Sequence, residues 1–100
     1  PKGPAVIRTD RFLVQKYLEN PMLIMSRKFD IRIWVLVTHN LRGYVFKEGY
    51  VRLSSLEYSC TDSPTNNTFM HLTNNAVQKF SEGYGSVADG NQLSFKHLKE

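Results

Sequence analysis

The stretch Lys28 to Thr38, KFDIRIWVLVT, constrains this chain more than any other. Phe29, Ile31, Ile33, Val35 and Val37 recur at period two, which places them on one face of a β-strand. β-Branched and aromatic residues dominate, as a pleated, half-buried surface favours. The opposite face reads Lys28, Asp30, Arg32, then Trp34, Leu36 and Thr38, charged at first and largely apolar beyond. The pattern predicts one long strand, covered on both faces over its C-terminal half and open only at its start. Lys28, Asp30 and Arg32 then form a row at the mouth of a core, about 7 Å apart from one to the next. A cation–anion–cation row suits a polyanion that carries a metal. An ion-paired strand end at the surface accounts for the same pattern.

The flanking segments read as partners of this strand. His39–Gly43 is a turn whose Asn40 and Gly43 tolerate positive φ, and Tyr44–Lys47 returns as the second strand of a hairpin. Glu48-Gly49 turns again, and Tyr50–Ser54 is the third strand of a meander. Val51 and Leu53 share one of its faces; Tyr50, Arg52 and Ser54 share the other. Upstream, residues 1–11 read as a linker or loop. Phe12–Leu18 reads as a short strand ended by Glu19-Asn20-Pro21, since proline donates no ladder hydrogen bond and restricts the residue before it. Met22–Arg27 is a mostly apolar connection expected to pack down. Downstream, Ser59–Thr68 is a polar loop. Phe69–Leu72 is a strand end, broken by Thr73-Asn74-Asn75. Ala76–Phe80 suits a short strand or a helical turn equally, and Ser81–Gly90 is a glycine-rich loop. Asn91 or Ser94 is placed to cap a helix running to the end, with Leu93, Phe95 and Leu98 as its apolar stripe.

Chain length fits one small domain. No apolar run is long enough to span a bilayer, and residues 1–10 lack the apolar core of a signal peptide. Cys60 is the sole cysteine, so no internal disulfide forms, which suits a reducing compartment. The formal charge of +4 favours anionic partners without choosing among them. His39, His71 and His97 are scattered, so zinc-ligand spacing is absent, as are G-x-x-x-x-G-K-[ST], G-x-G-x-x-G and G-x-S-x-G. The missing initiator methionine and the interrupted helix at Glu100 suggest a fragment of a longer protein.

What remains is a set of polar residues at strand ends. Arg52 beside Arg32 would make a planar, multi-donor phosphate clamp; otherwise it is a solvated strand residue. The backbone of Gln15-Lys16-Tyr17-Leu18 could offer a donor and an acceptor to a flat heterocycle, or simply pair in a sheet. His71-Leu72-Thr73-Asn74 ends a strand in short polar side chains, or forms a turn in which Asn74 and Asn75 cap backbone groups.

In order and spacing, these pieces resemble the tubulin–tyrosine ligase family. The matching stretches are Val14–Pro21 (VQKYLENP), Arg27–Val37 (RKFDIRIWVLV), Glu48–Arg52 (EGYVR) and His71–Asn74 (HLTN), followed by Gln78-Lys79. The similarity covers residues 12–100. It implies an α+β fold: a partial ATP-grasp domain over residues 1–100, mostly an antiparallel β-meander with the start of a C-terminal helix. It implies ATP and Mg2+ as cofactors, an acyl-phosphate route, and ligation of a free amino acid to tubulin at its acidic C-terminal tails. Gln15, Lys16, Tyr17 and Leu18 would line the adenine pocket. Lys28 and Asp30 would contact ribose and phosphates, and Arg52 the phosphates. Arg32 would lie by the terminal phosphate and the reacting carboxylate, as the catalytic residue. His71, Leu72, Thr73 and Asn74 would approach the ribose and phosphate side. The family's upstream phosphate-binding lysine, its glycine-rich loop and its Asp and Glu-x-Asn magnesium ligands have no counterpart here. The 100 residues alone are therefore expected to be inactive. Gly83–Phe95 leans toward the tyrosine ligase branch. The resemblance also implies a cytoplasmic, cytoskeletal or ciliary setting, with no nucleic-acid or membrane partner.

Two other readings fit the same residues. A basic meander carrying Tyr44, Phe46 and Tyr50 suits single-stranded nucleic acid through phosphates and stacking, although its basic residues are spread rather than clustered. A degenerate relative would bind acidic tubulin tails without ligating.

Overall fold

The computed structural model describes residues 10–60 and 67–98. Most of the linker expected over 1–11 and most of the loop expected over Ser59–Thr68 lie outside them. Strands β1 (Leu23–Ile24), β2 (Arg27–Arg32), β3 (Val35–Val37), β4 (Gly43–Val45), β5 (Tyr50–Leu53) and β6 (Gln92–Ser94) are joined by single helical turns α1 (Thr68–His71) and α2 (Asn75–Gln78). An antiparallel sheet runs β1-β2-β5-β6, and β3 and β4 form a separate two-stranded ribbon. Mostly antiparallel strands with few helices are as expected; the connectivity is not.

The long strand changes partner midway. Its first half pairs with β5, Phe29 opposite Leu53 and Arg32 opposite Tyr50. Its second half pairs with β4, Val35 opposite Val45. Between the two ladders Ile33 and Trp34 face Phe46, Lys47, Glu48 and Gly49, so the return strand carries two extra residues there. β5 is thus not the third strand of a meander. It continues the return strand beyond a bulge, and such an insertion breaks the ladder and re-aims the strand.

Burial runs opposite to expectation. Val51 and Leu53 on β5 are the buried hydrophobic residues among those described. Val35, Leu36 and Val37 are 56–63% exposed, as is most of the ribbon. Trp34, Val35, Leu36, Tyr44, Val45 and Phe46 line an open apolar groove of about 510 Å³. Alternation in sequence fixes which residues share a face; it does not supply the layer that covers it. The radius of gyration, 18.1 Å, compares with about 13 Å for a compact domain of this length.

Local expectations shift for definable reasons. Residues 12–18 form no strand, because no described segment pairs with them. Residues 22–27 contain β1 and a two-residue turn, Met25-Ser26, with φ of 51° and 58°. Positive φ at both positions matches the twist of a tight hairpin. In the 39–43 turn it is Leu41, at φ 61°, that takes the left-handed conformation, while Asn40 accepts a hydrogen bond from Thr38 Oγ1. His71 ends a helical turn rather than a strand, and the ambiguous 76–80 segment begins as helix α2. Asn74 precedes α2 without a side-chain cap bond. Asn91 is buried rather than capping. Among the described residues a 3₁₀ turn, Phe95–Leu98, follows β6 in place of the expected helix, with Ser94 Oγ 3.0 Å from His97 Nδ1.

Gly49 closes the bulge against β2. A Cβ there would lie 2.5 Å from the Arg32 carbonyl oxygen and 2.5 Å from Phe95 Cζ. Gly49→Ala is expected to destabilise the full-length protein by about 1–3 kcal/mol, as overpacking does. Trimming the ring with Phe95→Ala should not restore the loss, since the backbone oxygen remains. Denaturant melts of the single and double variants check this.

Candidate functional site

β-Pairing brings the expected charges together. Lys28, Asp30 and Arg32 share a face of β2, and Asp30 stands directly opposite Arg52 of β5. Arg52 Nε donates to Asp30 Oδ1 at 2.7 Å and Nη2 to Oδ2 at 2.5 Å, a two-bond fork. These hydrogen bonds raise the arginine's already high pKa, outweighing partial loss of hydration. Arg52 therefore pairs with Asp30 rather than flanking Arg32 as a free clamp. A guanidinium has further donors beyond these two, so it can hold Asp30 and still face an anion. The Arg32 side chain is exposed and makes no hydrogen bond or ion pair with another described residue.

The irregular segment 12–18 reaches β2 through Tyr17. Lys28 Nζ donates to Tyr17 Oη at 3.0 Å and lies 4.7 Å from the ring centroid. Tyr17 Oη is also 2.8 Å from His71 Nδ1. His71 packs edge-on against Tyr17 and Tyr58, at centroid distances of 5.5 and 5.7 Å. Its Nε2 is buried without a partner among the described residues. Whichever tautomer the ring adopts, one polar atom there is unsatisfied, at a cost of about 1–3 kcal/mol unless a ligand supplies a partner.

Gln15, Lys16, Tyr17 and Leu18 line a pocket of about 470 Å³ with Leu13, Pro21 and Lys28. No backbone hydrogen bond joins these four residues to any other described residue. Among the described residues their amides and carbonyls enter no ladder, so the sheet-pairing alternative is not met there. Of the last expected group, Thr73 is buried, whereas Leu72 and Asn74 are exposed. No group of three or more His, Cys, Asp or Glu side chains that could hold a metal gathers among the described residues. No helix there is long and apolar enough to cross a membrane.

Two contributors escape a reading by strands. Tyr58 donates to the Glu19 carbonyl at 2.8 Å and so anchors the stretch after the pocket-lining segment. Buried Gln78 bonds to both Ser55 and the Leu72 carbonyl. Apart from its place in the Gln78-Lys79 stretch of the family resemblance, the signal for Gln78 is a glutamine among apolar neighbours, Val77 and Phe80.

An antiparallel sheet carries a row of charges along one strand, beside a segment whose backbone pairs with no other described residue. The chain belongs to the tubulin-tyrosine ligase family, whose family model matches residues 2–99. It is 55% identical to tubulin glycylase 3D and 49% identical to tubulin glycylase 3B, both of Tetrahymena thermophila, over 89% and 90% of this chain. It is 48% identical to mouse tubulin monoglutamylase TTLL4 over 77% of this chain. These alignments cover 9%, 8% and 7% of the respective relatives, so the chain spans less than a tenth of their length.

Tyr58 gives the site an alkaline signature. Its removal from water, then hydrogen bonding to Tyr17 and Cys60, raise the phenol well above its ordinary value of 10.0. A folded-state pKa above the unfolded one contributes stability that is complete below pH 10.0 and is lost as pH rises beyond it. Tyr58→Phe should therefore flatten the decline in melting temperature above about pH 10 relative to wild type, with parallel curves below.

Proposed function

We propose that this chain forms the nucleotide-facing part of an ATP-dependent ligase that joins an amino acid to tubulin. The observation that carries the reading is the β2–β5 register. It sets Lys28, Asp30, Arg32 and Arg52 on one face, next to the unpaired backbone of Gln15–Leu18. The family of the chain and the names of its relatives agree with it.

The residues present fit ATP. The open amides and carbonyls of Gln15–Leu18 suit the edge of an adenine, and Pro21 and Leu13 suit its face. Lys28, held by Tyr17, suits the ribose and phosphates, and the unsatisfied His71 Nε2 suits a ribose hydroxyl. Thr73 and Asn74 lie on the segment that follows. Arg52 holds Asp30 in one orientation and keeps donors for phosphate oxygens. Arg32, unpaired among the described residues, is the cation left to neutralise charge developing between the terminal phosphate and the acceptor carboxylate. ATP when bound would supply a phosphoryl group to that carboxylate with release of ADP, and attack by the amino group of the incoming amino acid would expel phosphate and leave an amide. Magnesium would be held by residues outside this stretch, so the 100 residues alone should not turn over. Similarity to two glycylases makes glycine the favoured donor, in place of the tyrosine that Gly83–Phe95 suggested. The setting is the cytoskeleton, where tubulin is found.

The full-length protein incubated with tubulin, Mg-ATP and labelled glycine, glutamate or tyrosine tests the reading; glycine transfer is expected, and absence of transfer of all three overturns it. In the same assay Arg32→Ala should abolish ligation with the melting temperature unchanged. Lys28→Ala should chiefly raise the KM for ATP, about tenfold if one charge-assisted contact of about 1.5 kcal/mol is lost.

A further inference from the structure

Gln78 lies outside the nucleotide-facing set, yet every polar atom of its side chain is engaged. The residue is 1% exposed. Its Oε1 accepts from Ser55 N at 2.7 Å, Ser55 Oγ at 2.6 Å and Asn91 Nδ2 at 3.4 Å. Its Nε2 donates to the carbonyls of Phe69 at 3.0 Å and Leu72 at 2.5 Å. Chemistry fixes this orientation. A backbone N–H can only donate and two carbonyls can only accept, so a flipped amide would face like against like. Asn91 secures the other side: Nδ2 donates to Ser55 Oγ at 2.8 Å and Leu53 O at 3.3 Å, and Oδ1 accepts from Gly85 N at 2.8 Å.

The two ends of this amide reach different parts of the site. Ser55 continues β5 three residues beyond Arg52. Leu72 immediately precedes Thr73 and Asn74. One side chain thus spans the strand that carries the Asp30–Arg52 pair and the segment that carries Thr73 and Asn74. We propose that Gln78 is a positioning residue that sets Thr73 and Asn74 at a fixed height above β5 for nucleotide binding. The role rests on the ligase reading above. Only glutamine among the natural side chains meets the requirement. Glutamate lacks the two donors, and asparagine is a methylene too short.

Gln78→Glu in the full-length protein separates the tether from simple packing. Glutamate keeps the acceptor for Ser55 but turns like charge density toward the Leu72 and Phe69 carbonyls. At pH 8 the KM for ATP is expected to rise about tenfold or more, with kcat changed less than about threefold. A buried carboxyl is protonated more readily than an exposed one, and its proton restores one donor to Leu72. The gap to wild type should therefore narrow at pH 6, which loss of packing alone would not produce. Hydrogen exchange supplies a readout independent of catalysis: faster exchange over 69–75, with 27–32 and 50–53 unchanged. Equal KM for ATP at both pH values together with unaltered exchange over 69–75 overturns the proposal, whatever the melting temperature. A wild type that binds no ATP in calorimetry overturns the ligase reading, and exchange over 69–75 still decides the tether. If Gln78→Glu does not fold, Ser55→Ala removes one donor to the same Oε1; a two- to fivefold rise in KM for ATP supports the tether and no change overturns it.

Discussion

The antiparallel register of Arg27–Arg32 against Tyr50–Leu53 is the constraint on which the rest depends. One residue of slip would turn Val51 and Leu53, the buried hydrophobic pair, to the opposite face. The same slip would separate Asp30 from Arg52. Packing on one face and charge pairing on the other therefore specify a single alignment. The ion pair adds on the order of 1 kcal/mol at this degree of exposure, so it sharpens the register rather than creating it.

Around that sheet the interior is polar. Among the described residues Ser54, Ser55, Thr73, Gln78 and Asn91 are buried, against two hydrophobic residues. A satisfied network of this kind tolerates little variation, because each buried donor or acceptor left unmatched costs more than its bond contributes. It holds irregular chain in place where regular ladders cannot. Positive φ at Asn91, 55°, is part of that arrangement, since it turns the side chain inward to reach Leu53, Ser55 and Gly85.

Much of the sheet was legible in sequence. Period-two alternation marked β2, β3 and β5, and turn residues marked the 39–43 reversal. The common face of Lys28, Asp30 and Arg32 followed from strand geometry alone. What alternation does not encode is the partner. A two-residue excess at Phe46–Gly49 looks in sequence like one more turn, and only pairing shows it to be a bulge within a single return strand. Phe12–Leu18 has strand-like composition, but strand propensity acts only where a ladder is available, and here none is. Gln78 was least legible, because a buried amide is defined by carbonyls and hydroxyls far away in sequence. Tyr17, Lys28 and His71, which physical reading left on separate elements, meet in one cluster.

The bulge that re-aims the return strand also divides the ribbon mechanically. Zipping along an antiparallel pair propagates through successive matched hydrogen bonds, and two surplus residues are a missing tooth. Opening that begins at the exposed Thr38–Gly43 tip peels β3 from β4 and then stops, because the next ladder has its own register and its own buried side chains. Sheet and ribbon behave as two cooperative units on one continuous strand. The charged row beside the 470 Å³ pocket is thereby insulated from fraying at the far end.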